Sequence, residues 1–209
     1  MNFKKISLMM ALTISISFAA HAGTEDFQAH LDKAADKKLS MSQRWAALLQ
    51  ATDYARGNQI DEIKKFSQHT EWYLRNATLV ALNKVDHSAA IATAKELISD
   101  KALVVRSAAV EVLAQRMSTE NKAILIREID KNYNFHKKSS LWIRPQILTK
   151  VAEVAVQDDR SLFAQHLFDK DQQVSEVCAH ALEKLTGEKL GNKRFVENWR
   201  EFVKTKKWL

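Results

Sequence analysis

Three arginines recur at corresponding places along the chain. Arg75 and Arg106 are 31 residues apart, and Arg144 follows Arg106 after 38 residues. A row of guanidinium groups in register could hold phosphates, and such contacts dominate the affinity of proteins for nucleic acids. A nucleic-acid groove should be basic along its whole length, whereas the exposed positions expected beside these arginines carry both signs of charge. We therefore expect no nucleic-acid partner.

Residues that could support catalysis are present but are not grouped in any known motif. The seven histidines show no His-Glu-x-x-His spacing, and Cys178 has no second cysteine with which to share a zinc ion. The sequence also lacks a Gly-x-Ser-x-Gly nucleophile elbow and a phosphate-binding loop. Cys178 falls on the apolar face of an expected helix, where a buried, inert thiol is usual. The sequence therefore predicts a protein that is not an enzyme, with no catalytic, cofactor-binding or metal-binding residues and no cofactor.

The arginines belong to a short pattern of small and aliphatic residues that occurs four times. Its last residues are separated by 31, 38 and 31 positions. An interval of this size predicts stacked helical hairpins. The chain of 209 residues contains only four Gly and one Pro, too few for the turns of an all-β protein. We therefore expect an all-α fold. The copies cover residues 74–82, 105–113, 143–151 and 174–182.

This pattern resembles the second helix of the HEAT repeat, in which a hydrophobic residue and an Arg precede small and aliphatic residues. The resemblance covers about residues 58–186, with Ser175 in place of the Arg in the fourth copy and Pro145 early in the third. The stretch 185–191, followed by Trp199, is similar to the C-terminal ending of bacterial, PBS-lyase-type HEAT-like proteins. The resemblance implies an armadillo-like α-solenoid (alpha-alpha superhelix) of about four hairpins, with capping helices at both ends.

The resemblance also implies a structural role for the arginines. In HEAT repeats this Arg tends to pair with an Asp in the turn of a neighbouring repeat. Asp100 and Asp169 occupy such turns, which implies the pairs Arg75–Asp100 and Arg144–Asp169. Arg106 would instead face Lys138 and has no acidic partner. A structural ladder is thus expected rather than a ligand site, and its members are Arg75, Asp100, Arg106, Arg144 and Asp169.

The third repeat is seven residues longer than the others, and the extra residues fall near positions 131–138. Insertions in solenoids form loops, and loops on a rigid scaffold often bind partners. The alternative is that the two aromatic rings pack over the third hairpin while the lysines are only solvated. The candidate partner-binding residues are Tyr133, Phe135, His136, Lys137 and Lys138.

The C-terminal end is the most basic part of the chain. Residues 188–209 hold seven bases and three acids, whereas the repeats are nearly neutral. Lysines beside a tryptophan suit an anionic membrane surface, where each base contributes about 1 kcal/mol. The alternative is a frayed, soluble end. The candidate residues for binding an anionic surface are Lys204, Lys206, Lys207 and Trp208.

The N-terminal 22 residues match a secretory signal peptide. Lys4 and Lys5 precede a mainly apolar run, and Ala20-His21-Ala22 fits the small-x-small cleavage pattern. We therefore expect cleavage after Ala22 and a periplasmic or secreted protein.

These observations predict four segments. Residues 1–22 form a signal peptide, 23–57 N-terminal capping helices, 58–186 the HEAT-like repeats, and 187–209 a C-terminal capping helix with a basic tail. The leading interpretation is a scaffold or adaptor that binds an unknown protein in the bacterial envelope. The alternative is attachment to an anionic lipid or wall polymer through the basic C-terminus.

Overall fold

A computed structural model describes residues 23–191 and 193–209. Helices make up most of these residues, so the prediction of an all-α protein is confirmed. The expected signal peptide and its cleavage site lie outside the described residues. The described residues form two compact units, with the boundary between Leu97 and Ile98. Within the described ranges, no helix is both long and apolar enough to cross a membrane.

The first unit contains five helices in its described part. Helix α1 covers residues 23–35, and a short 3-10 turn, Phe66–Gln68, follows α3. Helices α2 and α3 pack on α4, and α4 packs on α5. The remaining bounds are α2 Met41–Ala51, α3 Gln59–Lys65, α4 Trp72–Val85 and α5 His87–Leu97.

The second unit contains six helices and one small β-hairpin in its described part. Helix α8 packs on both α6 and α10, while α7 packs on α8 and α9 on α10. The bounds are α6 Leu103–Gln115, α7 Thr119–Glu128, β1 Phe135–His136, β2 Ser139–Ser140, α8 Ile143–Glu153, α9 Arg160–His166, α10 Gln172–Thr186 and α11 Phe195–Lys206.

The N-terminal ends of the helices show where local sequence rules hold. Ser40 and Gln43 form the expected capping box of α2, with each side chain bonded to the other residue's backbone N–H. Thr70 is a residue type that favours N-cap positions and predicts a helix starting at residue 71. This prediction is wrong, because α4 begins at Trp72 and its N-cap is Glu71. Pro145 lies in the first turn of α8, where its missing N–H costs no helical hydrogen bond.

The buried face of α2 differs from the expected stripe. The spacing i, i+4, i+7 of Met41, Trp45 and Leu48 predicts that these three residues share the buried face. In the structure Met41 is exposed and Trp45 is only half-buried. The face is rotated because Arg44 turns inward and bonds to the carbonyl of Ala34. The residues that pack into the core are Arg44, Ala47, Leu48 and Ala51.

The cores of both units are aliphatic, with a few large rings. Phe163 and Trp199 are fully buried in the second unit, where Trp199 and Val203 form the inner face of α11. Gly187, in the left-handed conformation, ends α10 and donates to the carbonyl of Glu183. These contacts hold the helices that carry the interaction surface described next.

Candidate interaction surface

The seven-residue insertion folds into a 3-10 turn followed by a tight β-hairpin. Phe135 pairs with Ser140 and His136 with Ser139 in antiparallel register. Lys137 and Lys138 form the two-residue connection, with φ values of 47° and 68°. Two successive residues in the left-handed region match a type I′ turn, which favours Asn and Gly. We call Tyr133–Phe135 the root of this hairpin and His136–Lys138 its tip.

The root is fixed by Asn134, whose side chain is buried. Its amide donates to the carbonyl of Glu128 at 2.7 Å, and its carbonyl oxygen accepts from Arg106 Nε at 3.0 Å. The backbone N–H of Leu141 donates to the carbonyl of Asn134 at 3.0 Å. The Tyr133 hydroxyl donates to Glu128, so Tyr133 and Asn134 are both tied to the last residue of α7.

Arg106 passes from α6 to the root and is 2% exposed. Its Nη2 donates to the carbonyl of Tyr133 at 2.8 Å, and its Nη1 donates to the carbonyl of Asp100 at 2.7 Å. The guanidinium carbon lies 5.2 Å from the centroid of the Tyr133 ring. Burial lowers the pKa of Arg106, and the nearby Tyr133, Asp100 and Glu128 offset this only in part.

Arg144 holds the other side of the root and is also 2% exposed. Its Nη2 donates to Asp130 and Asp169, both at 2.7 Å, and its Nε donates to the carbonyl of Ile129. The guanidinium carbon lies 4.4 Å from the centroid of the Phe135 ring. Burial alone would lower the pKa of Arg144, but the two carboxylates outweigh it and raise the pKa.

Arg106 and Arg144 therefore have structural partners. Arg144 makes the bond to Asp169 that the HEAT resemblance implies. Arg106 is held by Asn134 and by carbonyls. Because most of their N–H groups already have acceptors, neither guanidinium is available for a phosphate. The pair Arg75–Asp100 would join residues of the two units and stays a prediction.

Arg44 of the first unit is a further buried arginine, which was not singled out from the sequence. Its Nη1 donates to Glu71 at 2.5 Å and to the Tyr73 hydroxyl at 2.7 Å. The guanidinium carbon lies 5.6 Å from the centroid of the Tyr73 ring. Arg44 precedes Arg75 by the same 31-residue interval that separates Arg75 from Arg106, and small and aliphatic residues follow it at 46–48 as they follow Arg106 at 108–110. The interval and this pattern could have identified it.

The tip points its polar groups into solvent. His136, Lys137 and Lys138 are exposed, whereas Phe135 is half-buried beneath Arg144. Two large rings beside the hairpin remain accessible: Tyr133 is 38% exposed and Trp142 is 48% exposed. The structure thus separates the five candidate residues, because the aromatic pair belongs to the root and the basic three to the tip.

The C-terminal candidates are separated in a similar way. Lys204, Lys206 and Lys207 are exposed on the last turns of α11. Trp208 folds back, with its ring 5.4 Å from the Phe202 ring and 4.6 Å from the guanidinium carbon of Arg160. The tryptophan is therefore a packed, half-buried side chain rather than the projecting interfacial anchor expected from the sequence.

A shallow depression of about 540 Å³ lies between the hairpin and the turn that joins α9 to α10. The rings of Phe135 and Phe168 line it, and Lys138 and Lys170 stand at its rim. Asp169 also lines it but is bound to Arg144. Burial would raise the pKa of Asp169, yet hydrogen bonds from Arg144 and from the backbone N–H of Asp171 lower it.

The polar groups near this depression are engaged in ways that do not assemble a catalytic dyad. The Ser140 hydroxyl accepts from Arg144 Nη1, and His166 Nε2 lies 3.0 Å from Asp130 Oδ2. Cys178 is fully buried, and burial raises the pKa of its thiol, which disfavours the reactive thiolate. Over residues 23–191 and 193–209, no cluster of His, Cys, Asp or Glu side chains could hold a metal ion.

Comparison of the chain with protein-family models and with curated proteins finds no match.

Proposed function

We propose that this protein is an exported, non-enzymatic α-solenoid of HEAT-like hairpins that binds a protein partner as a scaffold or adaptor in the bacterial envelope. One observation carries the proposal: a hairpin whose root is clamped by two buried arginines presents two strained lysines to solvent. Export rests on the sequence of residues 1–22. The superhelical arrangement rests on the repeat interval and on the contacts of α8 with both α6 and α10.

The lysine turn supports a binding role because it is energetically unfavourable. A residue with a side chain costs about 1–2 kcal/mol in the left-handed conformation, and Gly avoids this cost. Lys137 and Lys138 both adopt this conformation. Strained backbone persists where the surroundings fix it and is concentrated at functional sites. The clamped root supplies such surroundings, so the tip can display two cations at a constant position.

The accessible rings beside the hairpin favour a protein partner. Trp142 lies two residues after β2 and is 48% exposed, and Tyr133 lies two residues before β1 and is 38% exposed. Large aromatic side chains are enriched at the centre of protein interfaces, where they contribute most of the binding energy. Basic residues beside aromatic anchors give the surface both a contact area and a charge preference.

The test is affinity capture from cross-linked envelope fractions with the tagged protein from residue 23 onward. Lys137→Gln/Lys138→Gln is compared with Lys37→Gln/Lys38→Gln, another exposed pair of adjacent lysines. We expect one defined protein to survive a high-salt wash with wild type and with the Lys37 and Lys38 control, and to be lost with the tip variant. Equal recovery from all three proteins would contradict a binding role for the hairpin.

The second candidate function is attachment to an anionic envelope surface through the basic C-terminus. The exposure of Lys204, Lys206 and Lys207 at the end of α11 favours it. The packing of Trp208 against Phe202 and Arg160 makes the tryptophan a poor membrane anchor. Deleting residues 204–209 tests this candidate. Loss of binding to phosphatidylglycerol vesicles would support it, and retained envelope association would count against it.

A further inference from the structure

The two basic surfaces that the sequence treats as separate candidates meet at Phe168. This half-buried ring lines the depression beside the hairpin, together with Phe135 and Lys138. Helix α11 approaches the same ring, because Lys204 Nζ lies 5.4 Å from the centroid of Phe168. Arg200 of α11 lies 6.0 Å from that centroid and donates to the carbonyl of Leu167.

The carboxylates around the depression already have partners within the protein, whereas the lysines are exposed to solvent. Asp169 is bound to Arg144, and Asp171 caps α10 by accepting from the N–H of Val174. By contrast, Lys138, Lys170 and Lys204 are exposed, and no carboxylate of the described residues lies within ion-pair distance of them. The accessible rim is therefore cationic even though its floor contains carboxylates.

We infer that the hairpin tip and α11 form one binding surface for an acidic protein segment that inserts an aromatic or large apolar side chain between Phe135 and Phe168. The inference rests on the proposed function and names the chemistry of the partner. The depression of about 540 Å³ falls in the size range of small binding pockets and has room for such a side chain. Acidic residues on either side of the anchor pair with Lys138 and Lys170, which line the depression, and with Lys204, which lies over the Phe168 ring.

A lipid surface fits this geometry less well. The apolar rings lie in the floor of a depression rather than on a projecting edge, and a bilayer surface cannot follow such a concave shape. The tryptophan that could have entered the bilayer is packed against Phe202. An extended polypeptide can place one side chain in the depression and its neighbours on the rim. We therefore favour an acidic peptide over anionic lipid.

The experiment measures binding of a fluorescent probe, a short peptide of alternating Asp and Glu with one central Phe, to the protein from residue 23 onward. A second peptide carries Ala in place of that Phe. The rim variant is Lys138→Gln/Lys170→Gln/Lys204→Gln, and the control with the same charge change is Lys33→Gln/Lys37→Gln/Lys38→Gln. All six positions are exposed lysines, so both variants should fold, and circular dichroism checks this.

We expect the rim variant to weaken binding of the Phe peptide at least about tenfold, since three exposed charge pairs of modest strength are lost. The control should bind like wild type, and the Ala peptide should bind about tenfold more weakly than the Phe peptide. Equal affinity of the rim variant and the control would overturn the inference. Equal affinity for the two peptides would also overturn it, because the depression would then hold no anchor.

The peptide-binding and affinity-capture experiments together distinguish a failure of this inference from a failure of the proposed function. If the peptide does not distinguish the rim variant, but the tip variant still loses its captured protein, the partner binds with other chemistry and the scaffold role stands. If neither variant changes either readout, both proposals fail. Binding of the wild type to equal-part phosphatidylglycerol and phosphatidylcholine vesicles, without binding of the peptide, would assign the surface to lipid and overturn the inference.

Discussion

The root and the tip of the hairpin are consecutive in sequence but differ in the bonds that their side chains make and in their backbone conformation. The root contains Asn134, which is 1% exposed and bonded to two helices, and Phe135, which lies beneath a guanidinium. The tip contains three exposed side chains, two of them in the left-handed conformation. The root therefore stabilises the fold. The tip destabilises it slightly, but its side chains are accessible to a partner.

This difference shows how a functional surface can be separated from the structure that supports it. The buried Arg106 and Arg144 use their donors on carbonyls, an amide and carboxylates. The two lysines of the tip are exposed, and their backbone is strained. An exposed segment with a strained backbone indicates function. A buried polar group whose hydrogen bonds are all made within the protein indicates a structural role.

We expect the largest loss of stability from replacing Arg144, which packs on Phe135 of the root and binds Asp130 and Asp169. Arg144→Met keeps the side-chain length but leaves Asp169 and the carbonyl of Ile129 without their donor. We expect a loss of about 3 kcal/mol in the free energy of unfolding, measured with urea. Arg127→Met, at an exposed position of α7, is the control and should change it by less than about 0.5 kcal/mol. If both variants lose the same unfolding free energy, the contacts of Arg144 with the root do not stabilise the fold.

A smaller loss is expected from Asn134→Ala. The substitution leaves Arg106 Nε and the carbonyl of Glu128 without their buried partner, which should cost about 2 kcal/mol. Urea unfolding of this variant is compared with that of Asn132→Ala, an exposed neighbour in the same 3-10 turn. A stable Asn134→Ala protein would show that the insertion does not depend on this side chain.

The dependence of stability on pH tests the Asp169 ion pair. Because the folded state lowers the pKa of Asp169 below its ordinary value of 3.8, its contribution is complete above that pH and is lost as the pH falls further. Asp169→Asn cannot ionise and should be about 1 kcal/mol less stable at neutral pH. Its unfolding free energy should approach that of wild type as the pH falls below about 4.

The control for this titration is Asp158→Asn, because Asp158 is exposed and lies in a 3-10 turn before α9. Its curve should stay parallel to that of wild type over the same pH range. A constant difference between Asp169→Asn and wild type down to low pH would mean that the ion pair with Arg144 does not stabilise the fold.

The change in stability that we expect at the tip has the opposite sign. Lys137→Asn/Lys138→Gly gives the turn the residues that its conformation favours, so the unfolding free energy should rise by about 1 kcal/mol. The same variant should lose the captured partner because both cations are gone. A variant that is more stable and still binds would remove the lysines from the proposed site.

The sequence predicted the helical fold and the place of the insertion, because both follow from local patterns. The Ser40–Gln43 box and the early position of Pro145 in α8 are decided within one turn of helix. The partnership of Arg106 with Asn134 was not predictable, since those residues are 28 positions apart and meet only through tertiary packing. The same is true of Trp208, whose contacts with Phe202 and Arg160 depend on the docking of α11.

The turn at the tip was missed for a different reason. Left-handed turns are recognised in sequences by Asn and Gly, and this one contains two lysines. The sequence therefore indicated a loop with basic residues, but not a hairpin that holds Lys137 and Lys138 in a defined position. The rotation of α2 was missed because it depends on tertiary contacts: bonds to Ala34 and Glu71 bring Arg44 inside.

The most direct test of the account is site-specific photocrosslinking in living cells. A photoreactive phenylalanine derivative replaces His136 at the tip in one strain and Lys33, an exposed residue of α1, in another. The account predicts that irradiation links one defined protein to position 136, that position 33 gives no such product, and that Lys137→Gln/Lys138→Gln abolishes the product. Absence of any product from position 136, or the same product from position 33, would contradict the claim that the tip is the binding surface.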